Sequence, residues 1–211
     1  MKVNAMIVCF VLVATTLVSC KKDPVGGLTE EESRVYITNR DTNANFTDYK
    51  TFSIVDSVTI ISNNQVEGKG NTAWDAAIID AVSQQLQNRG YTLVSRTQNP
   101  DLGVNVTRFY NSYSGIVEQP AYWGGYNDFY DPFYWGYGGY PYAFPSYYQV
   151  YNVTEGAASI DVFDLKSAGN SSQLRGIWSG LIRGSGIFNP NTIGQQVSAL
   201  FDQSAYLRAN Q

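Results

Sequence analysis

Two pairs of carboxylates and one cluster of aromatic rings are the places in this sequence where chemistry could be done. Asp128 and Asp131 flank Phe129-Tyr130, and Asp161 and Asp164 stand three apart in an alternating apolar run. Either pair can be cast as the acid and base of a glycosidase or as oxygen ligands for a hard cation. Asp161 and Asp164 fail the first test: residues three apart in a strand point to opposite faces, and Asp164 at a strand end suits turn hydrogen bonding. Asp128 and Asp131 have no supporting set of polar residues around them and read as ordinary loop acids. The chain has no histidine, which removes most acid–base pairs near neutral pH, Ser-His triads and the commonest metal ligand. A non-catalytic domain is the first reading. A carboxylate-based glycan hydrolase using Asp128 and Asp131 is the alternative, and no cofactor or metal is expected.

The aromatic cluster lies in residues 109–153, which hold 12 of the chain's 16 tyrosines and neither Lys nor Arg. Gly124-Gly125, Pro132, Gly138-Gly139, Pro141 and Pro145 break any continuous helix or strand. Its composition reads as a low-complexity insertion attached to a domain that folds without it. The functional counterpart is a binding platform built from Tyr122, Trp123, Tyr126, Tyr130, Tyr134 and Trp135. Rigid amphipathic rings give contact area at low entropy cost and stack on sugars, aromatic groups or protein surfaces. Single-stranded nucleic acid is a poor ligand for it, because stacking rings there come with cations.

The start of the chain gives an address. Lys2 supplies a positive end, Ala5 to Val18 is an apolar run interrupted only by Thr15 and Thr16, and Leu17-Val18-Ser19-Cys20 closes it. That is a secretory signal, too short for a comfortable membrane span. The tetrapeptide resembles the bacterial lipobox, in which cleavage precedes a cysteine that then carries lipid. Residues 1–19 are accordingly expected to be a lipoprotein signal peptide, with Cys20 the lipidated first residue of the mature protein. Of the two cysteines only Cys20 survives, so neither an intramolecular disulfide nor a cysteine metal cluster is available. The formal charge is −4, and loss of Lys2 makes it one unit more negative. Such a surface repels nucleic-acid phosphates. The expected location is the outer membrane, on the periplasmic side or the cell surface. The expected partners are the membrane, through Cys20, and an envelope glycan or another envelope protein.

Residues 20–34 read as a flexible tether, charged and broken by Pro24 and a Gly pair, ahead of one domain over residues 35–211. Tyr49 to Val55 alternates as a strand that Val58 to Ile61 continues, and Asn63 to Asn71 reads as a polar loop. Thr72 with Asp75 makes a capping box, after which Trp74, Ala77, Ile78, Ala81, Val82 and Leu86 recur at helical spacing up to Gly90. Tyr91 to Val94 reads as a short strand, and Asn99-Pro100-Asp101 turns into the strand Leu102 to Thr107. Gly156 to Gly184 is the organising stretch. Ala158, Ile160, Val162 and Asp164 oppose Ser159, Asp161, Phe163 and Leu165, and after a polar interruption Ile177 to Ile182, with Trp178, returns as the second arm of an antiparallel hairpin. Pro190-Asn191-Thr192 opens a closing helix with Ile193, Val197, Leu200 and Phe201 on its apolar stripe. The fold class is α+β: a mainly antiparallel sheet with two helices on one face, plus the Tyr/Trp/Gly-rich insertion loop.

Phe46-Thr47-Asp48-Tyr49-Lys50-Thr51-Phe52, Arg89-Gly90-Tyr91, Asn99 through Thr107, and Ile160-Asp161-Val162-Phe163-Asp164 ahead of Trp178-Ser179-Gly180 together resemble the family of lipoproteins with a DUF4136 domain. The resemblance runs from Asn45 to about Leu207. The connection between Asp164 and Trp178 is longer here than the tight Asp-x-x-[Ser/Thr]-Gly turn of that family. The family's function is unknown, so the resemblance implies an envelope lipoprotein with an α+β domain and transfers no catalytic residue.

The anchoring expectation is directly testable. Cys20→Ala should abolish labelled-palmitate incorporation and stable fractionation with membranes, because a multiply acylated terminus holds far more strongly than a single chain. Unchanged labelling and partition would remove Cys20 as the anchor.

Overall fold

The computed structural model describes residues 27–62, 65–110, 132–143 and 156–210. The chain divides into two units, Met1–Ser33 and Arg34–Gln211. The expected signal peptide, residues 1–19, and Cys20 lie outside the described residues. In the first unit, residues 27–33 make a turn in which the backbone N–H and hydroxyl of Thr29 both donate to the Glu32 carboxylate at 2.9 Å. These bonds hold the exposed Glu32 carboxyl below its ordinary pKa.

The second unit is α+β, with nine strands in one open mixed sheet and three helices among the described residues. In chain order the strands are β1 (Val35–Arg40), β2 (Thr51–Ile54), β3 (Val58–Ser62), β4 (Gln65–Gly70), β5 (Thr92–Leu93), β6 (Leu102–Tyr110), β7 (Tyr142–Ala143), β8 (Ala157–Asp164) and β9 (Leu174–Arg183). The helices are α1 (Ala73–Asn88), α2 (Ala168–Ser171) and α3 (Ile193–Asp202). The main order across the sheet is β1-β9-β8-β6-β2-β5. The long ladders β1/β9, β8/β9 and β6/β8 are antiparallel. On its other edge β6 is parallel to β2 through Leu102–Val104 and to β3 through Thr107–Tyr110.

Alternation along the central strands separates two faces. Val104, Val106, Ile160, Val162, Trp178 and Ile182 are all fully buried on one of them, which is the burial the period of two predicts. Helix α3 closes over this face. Its Phe201 ring lies 5.2 Å from the Trp178 ring, and a side chain at Gly180 would strike Leu200 and come within 2.7 Å of Trp178. The Trp178 indole N–H donates to the Ser204 hydroxyl at 2.9 Å, so the ring is buried with its polar atom satisfied. Helix α1 packs beside α3 and buries Trp74, Ile78, Val82 and Leu86.

The start of α1 is fixed by one carboxylate. Asp75 completes the capping box with Thr72, its Oδ2 accepting from the Thr72 backbone N–H at 2.7 Å and hydroxyl at 2.8 Å. Its Oδ1 lies 2.9 Å from Nη1 of Arg108, near the end of β6. Gly70 leaves the room this requires, because a Cβ there would stand 2.6 Å from Asp75 Oδ2.

Four expectations need correcting. The stretch read as a loop over Asn63 to Asn71 contains β4, antiparallel to β3 with a register shift at Ile60/Ile61. Its residues are mostly exposed, so backbone pairing builds the strand and leaves no burial pattern to read. Second, Val58 to Ile61 is a separate strand, which gives β6 a further parallel neighbour in place of an extension of β2. Third, β9 begins at Leu174, after the short α2. The register moves from Val162↔Trp178 to Phe163↔Gly176, so Ile177 is the extra residue of a bulge. Fourth, part of the insertion belongs to the domain: Trp135 and Tyr142 join the hydrophobic core at 7% and 8% exposure, and β7 pairs in parallel with the start of β9. The apparent low complexity conceals residues that finish the core.

Trp178→Ala is expected to lower unfolding free energy by about 3–5 kcal/mol, the usual cost of truncating a large buried ring. A urea midpoint indistinguishable from the parent protein would contradict the packing of α3 on β9.

Candidate functional site

The second face of the sheet is polar where the first is apolar. Asn105 of β6, Asp161 of β8, Ser179 of β9 and Asn39 of β1 are successive register partners, so their side chains form one row. The adjoining row holds Thr107 and Ser159. The Ser159 hydroxyl donates to Asp161 Oδ2 at 2.9 Å. Thr107 is fully buried, and among the described residues its Oγ1 has no hydrogen-bond partner. A buried polar group without a partner costs roughly 1–3 kcal/mol. Asn105, Asp161, Ser179 and Ser159 are buried as well, and the Ser159–Asp161 bond satisfies part of the row.

Aromatic residues close one end of this face. A Cβ at Gly103 would lie 3.0 Å from the Trp135 ring and 3.0 Å from Leu165, so the absence of a side chain there lets the indole lie against the strand. Trp135 Nε1 is buried with no hydrogen-bond partner among the described residues. Beside it Tyr142 packs on Phe163 with ring centroids 4.8 Å apart.

Tyr134 meets Trp135 edge to face at 4.8 Å and lines an open cleft of ≈ 790 Å³ at the β2/β5 margin. The other walls bring Asp56, Asp80, Gln84, Gln87, Arg96 and Gln98 together around Ile54 and Leu93. Arg96 is held by Tyr134 itself: its Nη1 donates to the Tyr134 carbonyl at 3.1 Å, and its guanidinium stands 4.6 Å above the ring. Burial, with the charge of Asp56 adding to it, pushes the Tyr134 phenol above its ordinary pKa. The hydroxyl therefore stays a neutral donor and acceptor throughout the physiological range.

The residues singled out from the sequence divide as follows. Tyr122, Trp123, Tyr126, Tyr130, Asp128, Asp131 and Cys20 lie outside the described residues. Trp135 is a core residue and Tyr134 reaches the cleft. Asp161 and Asp164 point to opposite faces, as their spacing requires. Asp164 accepts from the Ser167 backbone N–H at 2.9 Å, which is turn chemistry, and the hydroxyl of buried Tyr49 faces it. Burial first, and then the Asp164 charge, push that phenol's pKa upward. Sequence reasoning passed over Asn105, Thr107 and Ser179, although their alternation with valines and Trp178 carried the signal. The charged and amide residues of the cleft come from three separate segments, and only the spacing of Asp80, Gln84 and Gln87 along α1 is legible in the sequence.

Residues 37–204 match the family model described as "Domain of unknown function (DUF4136)". Among solved structures, the chain is similar to the crystal structure of a DUF4136 family protein from Bacteroides thetaiotaomicron, with TM-score 0.69 and 26% identity over 83% of this chain and 98% of that one. It also matches a PelC dodecamer subunit from Paraburkholderia phytofirmans, with TM-score 0.39 and 9% identity over 84% and 99% of the two chains. A PDZ domain protein from Parabacteroides distasonis matches with TM-score 0.46 and 14% identity over 82% of this chain and 36% of that one. No curated protein matches significantly.

If the Thr107 hydroxyl serves something other than stability, Thr107→Val should raise the unfolding free energy by roughly 1 kcal/mol, since it removes an unpaired buried group while keeping the shape. Chemical denaturation measures this, and a destabilised variant would mean that the hydroxyl has a structural partner.

Proposed function

The chain belongs to the DUF4136 family, a family of unknown function, and from that premise we propose that it is a lipid-anchored envelope lipoprotein whose domain is a non-catalytic binding module for an envelope glycan. In this reading Cys20 carries the lipid in the outer membrane, residues 20–34 hold the domain off the bilayer, and the cleft beside Tyr134 is the glycan site. The observation that carries it is the company Tyr134 keeps. A neutral phenol and its ring line the same cleft as the carboxylates of Asp56 and Asp80 and the amides of Gln84, Gln87 and Gln98. Sugars present both C–H surfaces that suit an aromatic ring and hydroxyls that suit planar carboxylate and amide groups. A few placed polar groups around an apolar patch is the general construction of a small-molecule site. For a neutral glycan electrostatics play a minor part in this recognition, so its binding should change little with salt.

Pull-down on insoluble peptidoglycan and on neutral polysaccharides tests the proposal. Tyr134→Ala is expected to weaken retention roughly tenfold, equivalent to about 1.4 kcal/mol, whereas Tyr134→Phe keeps the ring and most of the affinity. The circular dichroism and unfolding midpoint of each variant establish that it is folded. Undiminished retention by a folded Tyr134→Ala protein would exclude the cleft, and release of reducing sugar from the bound material would replace binding by turnover.

A further inference from the structure

A second cavity, of ≈ 590 Å³, lies where the end of α1 meets the C-terminal tail. It is lined by Thr47, Asn88, Arg89, Ala205, Arg208, Ala209 and Asn210. Two of these residues are cations and none is an acid, although the chain as a whole carries a formal charge of −4. The backbone holds the two arginine-bearing segments together: Ala209 N–H donates to the Arg89 carbonyl at 3.0 Å, with Ala209 and neighbouring Leu207 buried. Arg89 is braced against the Phe201 ring, 5.3 Å from its guanidinium carbon, and its side chain is 18% exposed. Its nearest carboxylate is that of Asp202, an exposed residue 4.0 Å away, beyond hydrogen-bond distance. Among the described residues the buried Arg89 Nε has no acceptor.

A guanidinium offers five donors in a rigid fork that matches the oxygens of a carboxylate or phosphate. A cation near the end of α1 is favourable against the helix dipole, which accounts for Arg89 but not for Arg208 on the opposing tail, nor for a cavity whose described lining residues are cationic and neutral only. We infer that this cavity is an oxyanion site, in which Arg89 and Arg208 clamp a phosphate or carboxylate group and Asn88, Thr47 and Asn210 supply neutral hydrogen bonds. The site is separate from the Tyr134 cleft and shares no lining residue with it. A phosphate there can be a free anion or part of a phospholipid headgroup, since the chemistry of the two is shared.

The test is a titration of the full chain with inorganic phosphate, and separately with acetate, against chloride at matched ionic strength, followed through the guanidinium N–H resonances of Arg89 and Arg208. Saturable shifts of both with phosphate or acetate, and none with chloride, are expected. Arg208→Gln, on an exposed residue that leaves the fold intact, should weaken the response of Arg89 about tenfold, the loss of one charge-assisted contact. Arg89→Lys keeps the charge but loses the fork and should weaken binding similarly. A soluble short-chain phosphatidylglycerol that binds more tightly than inorganic phosphate would identify the headgroup as the source, and equal or weaker binding a free oxyanion. Shifts that are linear, equal with chloride, or unaffected by Arg208→Gln would overturn the assignment.

Discussion

One carboxylate joins the three parts of this fold that must meet. Asp75 caps α1, neutralises Arg108 on the central strand β6, and needs the missing side chain of Gly70 at the end of β4 to do either. Both charges of the pair are nearly buried, at 1% and 9% side-chain exposure. Breaking such a pair from one side typically costs about 3–5 kcal/mol, because the surviving charge stays buried without compensation. The position of α1 is thereby tied to β6, and β6 in turn organises the sheet, with the long antiparallel β8 on one edge and β2 and β3 sharing the other.

The division of labour between the two sheet faces follows from this frame. One face is a conventional apolar core, with Trp178 anchored to Ser204 and covered by Phe201. The other carries Asn105, Asp161, Ser179, Thr107 and Ser159, polar residues shielded from solvent to 8% exposure or less. Among the described residues the Thr107 hydroxyl finds no partner in that row, which costs stability. Trp135 closes the row at Gly103, and its edge-to-face contact with Tyr134 connects it to the cleft outside.

The Tyr134 cleft and the Arg89–Arg208 cavity differ in the chemistry they offer. The Tyr134 cleft combines a ring, amides and carboxylates and suits a neutral, hydroxyl-rich ligand. The Arg89–Arg208 cavity is cationic on an acidic chain and suits an oxyanion. Cell-envelope polymers and lipids present both kinds of group, so the two readings are compatible on one domain while resting on different residues.

Local sequence determined what depends on local geometry. The period of two placed Ile160 and Val162 on one face and Ser159 and Asp161 on the other, the Thr72–Asp75 box fixed where α1 starts, and Gly90, at φ +90°, fixed where its chain turns away. The closing helix was equally legible from Ile193, Val197, Leu200 and Phe201. Tertiary structure alone decided which distant groups meet. Nothing near Arg108 announces that its partner is Asp75, because an ion pair between a strand and a helix has no spacing in sequence. β4 escaped notice because its strand is made by backbone hydrogen bonds while its side chains face water. Trp135 and Tyr142 were hidden among tyrosines of the same insertion, since composition cannot say which ring lies against a glycine on the sheet. The cavities at Tyr134 and Arg89 are assembled from segments far apart in the chain, and only the folded backbone brings their charges and rings within reach of one ligand.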